Sequence, residues 1–134
     1  MLLNKALLFV AAGGLALALA ACGGSDSDDV KASLEDYNQA VANKDADKAC
    51  DLLSDAAKKT IGGRSCVTTL EAGFRLLQPK QLAAFKGTEI KNIKVNGDKA
   101  TATITFPKDS GVSEQTQTLV KENGEWHLQA AGAK

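Results

Sequence analysis

The stretch Ala100-Thr101-Ala102-Thr103-Ile104-Thr105-Phe106 decides the fold class. Apolar and polar residues alternate with a period of two, which sets Ala100, Ala102, Ile104 and Phe106 on one face of a β-strand and the three threonines on the other. Just upstream, Ile93-Lys94-Val95 alternates in the same way, and Asn96-Gly97 between the runs is a strong two-residue hairpin signal. With those two residues in the turn, Ile93 lies opposite Ala100 and all six apolar residues share one buried face. Ile90 has the wrong parity for that face, so a bulge or a late strand start is expected near Lys91-Asn92.

A second hairpin follows the Pro107–Gly111 loop. Strand three is expected over about 113–122 and strand four over 125–130, joined at Asn123-Gly124. Pairing across that turn puts Lys121 opposite Trp126, Leu119 opposite Leu128 and Gln117 opposite Ala130 on the inward face, with Val120 and His127 on the other. Lys121 can lay its aliphatic stem along the Trp126 indole and keep its ammonium in water.

Before residue 90 the period is helical. Val30, Leu34, Tyr37 and Val41 recur on one face of a first helix, which Asn43-Lys44-Asp45 interrupts. Asp45 or Asp47 then caps a second helix that buries Ala49, Cys50, Leu53 and Ala57, and Gly62-Gly63 breaks it. Ser65 offers a cap to a third helix carrying Cys66, Leu70, Phe74 and Leu77, which must stop before Pro79. Helices first and a meander last is an α+β layout: N-terminal helices packed on one face of an antiparallel four-stranded sheet.

The N-terminus has a different character. Lys5 precedes an unbroken apolar or glycine run from Ala6 to Ala21, the charged head, greasy middle and small-residue end of a secretory signal. Its close, Leu19-Ala20-Ala21-Cys22, resembles the lipobox of bacterial lipoproteins. That resemblance implies that residues 1–21 are removed and that Cys22 becomes the first residue, carrying a diacylglycerol and acyl chains such as palmitate. The partner so implied is a membrane, held through the lipid anchor on its extracytoplasmic face. At about 0.8 kcal/mol per buried CH₂, two or three long chains anchor far more firmly than one myristoyl chain. Residues 22–29, with Gly23-Gly24 and the acidic Asp26, Asp28 and Asp29, read as a flexible tether whose Asp28 or Asp29 caps the first helix. Residues 30–134 read as a single domain.

Composition excludes several function classes. The chain has 16 basic and 16 acidic residues, so no basic balance points to nucleic acid, and its aromatic content of 4 % argues against an aromatic-lined sugar groove. With Cys22 assigned to lipid, Cys50 and Cys66 remain as an even pair in an oxidising compartment, where a disulfide is expected. Free buried thiols and a metal pair are the alternatives, though His127 is too distant in sequence to complete a zinc pattern. The acidic group near residue 26 lacks the spacing of a calcium loop, and no glycine pair makes a phosphate-binding fingerprint, so neither metal nor cofactor is expected.

The residues from Val30 to Val41, Asn43-Lys44-Asp45, the Cys50 and Cys66 pair, Ala100-Thr101-Ala102-Thr103 and Leu119 to Trp126 together resemble the nuclear transport factor 2-like, or cystatin-like, superfamily. That likeness implies a helix-backed, strongly bent antiparallel sheet, cone-shaped around a pocket, in a superfamily of enzymes, small-ligand binders and accessory domains. The pocket-lining candidates are Tyr37, Ile93, Ala100, Ala102, Ile104, Leu119, Trp126 and Leu128, with the small Ala100 and Ala102 leaving room. Tyr37 is either a pocket hydroxyl or a core residue with its hydroxyl at the rim; His127 reads as a surface histidine. No Ser/His/Asp or Cys/His set can be assembled. The expected function is therefore a non-catalytic envelope lipoprotein binding an apolar small molecule or peptide, or supporting an envelope protein. The alternatives are an isomerase- or cyclase-like enzyme using Tyr37, and an inhibitor or regulatory module acting through its surface.

Overall fold

Residues 25–62 and 65–129 are described by a computed structural model; the apolar run read as a signal, Cys22, the Gly23-Gly24 pair and Ala130 lie outside the described residues. Five helices precede one sheet: α1 (Asp26–Ala42), α2 (Ala46–Asp51), α3 (Asp55–Ile61), α4 (Cys66–Leu76), α5 (Pro79–Lys86), β1 (Glu89–Asn96), β2 (Lys99–Thr105), β3 (Gln115–Glu122) and β4 (Glu125–Leu128). The strands form an antiparallel meander in the order β1-β2-β3-β4. The class is α+β, with the helices first.

α1 is the helix the rest packs on, touching β1, β4, α2 and α5. Val30 and Leu34 are fully buried along it. The helix starts earlier than the sequence suggests: the Ser25 hydroxyl accepts a hydrogen bond from the Asp28 N–H at 3.3 Å, so Ser25 is the cap, not Asp28 or Asp29. Asp26, Asp28 and Asp29 belong to the first turn rather than to a tether, where the helix dipole favours negative charge. Asp26 also reaches the sheet, its Oδ1 accepting from Lys121 Nζ at 2.9 Å and from Trp126 Nε1 at 3.4 Å.

The second helix expected over Ala49 to Ala57 is two helices. The chain leaves α2 at Leu52 because it has a better use beside the sheet: Leu128 N–H donates to the Leu52 carbonyl at 2.8 Å, and Ser54 N–H to the Leu128 carbonyl at 2.8 Å. This short parallel bridge between Leu53 and Leu128 covers the outer edge of β4, an edge that would otherwise present unpaired backbone groups. The Ser54 hydroxyl, itself buried, accepts from the Ala57 N–H at 3.1 Å and starts α3. Cys50 at the end of α2 is bonded to Cys66 at the start of α4, with their Cα atoms 6.1 Å apart. The bridge fastens α4 to the α1–α2 layer.

α4 stops before Pro79, as the proline requires, but Pro79 also opens a helix that the apolar period alone does not reveal. At its entry, Gln81 Oε1 accepts the Gln78 N–H at 2.9 Å. α5 packs on α1, and the buried Asn38 of α1 donates through Nδ2 to the Thr88 hydroxyl at 3.0 Å just past α5.

The two hairpins compare differently with expectation. β3 and β4 pair as the alternation dictates, Leu119 with Leu128 and Lys121 with Trp126, around Asn123 and Gly124, both at positive φ. β1 and β2 turn instead at Gly97-Asp98: Val95, not Ile93, lies opposite Ala100. Gly97 at φ 62 supplies a positive first turn position, which suffices for a turn of the II′ kind. The slip is by two residues, so the buried face is unchanged. A bulge between Lys91 and Lys94, with Asn92 at φ 53, then restores parity and sets Ile90 opposite Ile104.

Candidate functional site

The inner face of the sheet has a closed half and an open half. In the closed half Ala100 is 2 % exposed, Ala102 1 % and Trp126 3 %, and Leu119 and Leu34 are fully buried between sheet and α1. The Ser33 hydroxyl donates to the Trp126 carbonyl at 3.1 Å, and the Lys121 ammonium lies 5.7 Å from the centre of the indole ring while bonded to Asp26. Those bonds hold the carboxyl of Asp26 below the ordinary carboxylate range, Lys121 first and Trp126 second, and raise the pKa of Lys121. The space expected above Ala100 and Ala102 is therefore filled.

The open half begins at Leu128. There a cleft of about 480 Å³ separates the sheet end from α4. Tyr37 and Val41 of α1, Leu53, Phe74 of α4, Phe85 of α5 and Leu128 form its apolar walls. Phe85 is held edge-on to Phe106 at 5.2 Å between ring centres. One wall is thinned by Gly73 of α4, where a Cβ would meet nothing within 4 Å. A mid-helix glycine costs roughly 1 kcal/mol relative to alanine, and no packing at this position requires it.

Of the residues expected to line a pocket, the structure brings only Tyr37 and Leu128 to this cleft. Ala100, Ala102, Ile104 and Leu119 are core, Ile93 is half-buried against that core, and Trp126 edges a different groove. Burial raises the pKa of the Tyr37 phenol, which stays protonated and able to donate. Three amides complete the lining: Gln115, Gln117 and Gln129. Gln117 pairs with Ala102 across β2 and β3, and its Nε2 donates to the Thr118 carbonyl at 3.0 Å and the Gln129 carbonyl at 2.7 Å. Neither Gln117 Oε1 nor the Tyr37 hydroxyl is bonded to a described residue; the one buried unpaired side-chain atom among the described residues is His127 Nδ1, outside this cleft.

Among the lining residues absent from the expected set, Gly73 and Gln117 bear most on the shape and chemistry of the cleft. Their signals are a glycine inside an amphipathic helical run and a polar residue at an inward strand position. A second, acidic groove of about 490 Å³ runs past Asp29, Asp36, Asp51, Glu125, Trp126 and His127. His127 is less exposed than expected: its side chain is 18 % exposed, on a β4 that is no open edge but runs beside Leu52–Ser54. Its Nε2 stands 3.9 Å from Glu125 Oε2, and among the described residues no group of three such side chains is placed to hold a metal ion.

Against known proteins, the chain matches no protein-family model and no curated sequence.

Proposed function

We propose that this chain is an extracytoplasmic lipoprotein anchored through Cys22, and that its domain holds an apolar small molecule in the cleft between α1, α4 and the end of the sheet. The observation that carries the binding reading is the cleft itself, about 480 Å³ and walled by Tyr37, Phe74, Phe85 and Leu128. That is within the roughly 300–1,000 Å³ range of small-ligand sites, which are mostly apolar with a few placed polar groups. Binding is favoured over catalysis by the chemistry of the lining. Tyr37 is the one titratable side chain among its described residues, a phenol neutral at physiological pH that burial pushes further from ionisation. An isomerase or cyclase needs a base opposite such a donor, and none of the described lining residues offers one.

Two measurements test the two parts. Intact mass and detergent partitioning of the protein from its native host should show a diacylated N-terminus at Cys22; a water-soluble product beginning elsewhere would end the anchor reading. For the cleft, the neutral dye Nile red should bind the folded domain with a blue-shifted emission that Gly73→Leu abolishes. Equal dye binding by both proteins would place the dye outside the cleft and count against the site.

A further inference from the structure

We infer that the cleft selects an uncharged amphiphile that carries a hydrogen-bond donor, a long-chain alcohol or monoacylglycerol rather than a fatty acid; this rests on the binding reading above. The first ground is charge. About a quarter of the chain is charged, yet no lysine, arginine, aspartate or glutamate is among the described residues lining the cleft. A carboxylate drawn into that space would lose hydration with no cation among the described lining residues to meet it, and burying an unpaired charge is far costlier than burying a hydroxyl that finds a partner.

The second ground is the polarity of the lining atoms that no described residue bonds. Gln117 Nε2 lies against two carbonyl oxygens, at 3.0 and 2.7 Å, which identifies it as the nitrogen and leaves Oε1 as the atom free for a ligand. Oε1 can only accept. The Tyr37 hydroxyl, protonated as any phenol is near neutrality and more firmly so through burial, can donate as well as accept. An alcohol offers a donor for Oε1 and an acceptor for the phenol, whereas an ether or ester oxygen serves the phenol alone. The apolar walls of Val41, Leu53, Phe74, Phe85 and Leu128 take the chain.

The test is calorimetric titration of the folded domain at about pH 8, where a carboxylic acid is ionised, with 1-decanol, decanoate and decyl methyl ether, whose alkyl chains differ by no more than one CH₂, worth about fourfold in affinity. Decanol should bind at least about tenfold more tightly than decanoate and about fivefold more tightly than the ether, the latter being the worth of one net hydrogen bond. Gly73→Leu should bind none of the three. Decanoate or the ether binding as tightly as decanol would overturn the selectivity while leaving the cleft intact as a site. Failure of all three to bind, or undiminished binding by Gly73→Leu, would remove the binding reading and the selectivity together.

Discussion

Under the N-terminal half of α1 the inner face of the sheet is solid, and under the C-terminal half the same face opens. The closed half has Val30 and Leu34 above Ala100 and Leu119, with Asp26, Lys121 and Ser33 tying helix to hairpin. The open half has Tyr37 and Val41 above Leu128, with α4 standing off across a cleft and a glycine facing the gap. Small residues on the sheet do not decide which half is open. Alanines close up where a helix can approach, and space survives where the helix layer, not the strand, omits a side chain.

The contrast can be broken in several ways. The largest effect is expected from Cys50→Ala with Cys66→Ala: the bond closes a separation of 16 residues, and its loss should lower stability by about 3 kcal/mol in urea unfolding. Hydrogen exchange should show α4 loosening more than α1, because the bond holds the far wall of the cleft; equal loosening would mean that α4 is fixed by other contacts. Next, Ala102→Leu should lose about 1–3 kcal/mol, since the closed half has no room for it. A neutral result would show that half to be open after all. Gly73→Ala should gain up to about 1 kcal/mol, removing a helix-interior glycine without filling the cleft. A loss there would mean that a Cβ at 73 meets something.

The smallest effect sharpens the seal at the closed end. Asp26 has a lowered pKa in the folded protein, so its contribution is present above the ordinary carboxylate range and disappears as pH falls through the lowered value. Lys121 has a raised pKa, so its share is present below the ordinary lysine range and disappears as pH rises through the raised value. Asp26→Asn should therefore lower Tm slightly near neutrality and flatten its decline in acid. Superimposable acid profiles for the two proteins would show that this exposed pair contributes nothing.

The sequence carries the class and the inward face of each strand because a period of two survives errors of turn placement. At Gly97 the turn sits one residue later than Asn96-Gly97 implies, yet Ala100, Ala102 and Ile104 remain inward because the pairing slips by two. Asn123-Gly124 makes the expected turn, and Leu119, Trp126 and Leu128 are buried beside it. What periodicity does not carry is tertiary choice. Leu52–Ser54 abandons the helix for the edge of β4, a long-range pairing with no local signal. The cleft is hidden for the same reason: its position depends on how far α4 stands from Leu128, and only Tyr37 and Leu128 could be read as its lining from residue spacing.

Native mass spectrometry of the domain purified from its native host tests the central claim most directly. The wild-type protein should carry a small neutral molecule that leaves on collisional activation, and Gly73→Leu, equally folded by its Tm, should be bare. A bare wild-type domain, or the same adduct on both proteins, would contradict a ligand held in the cleft.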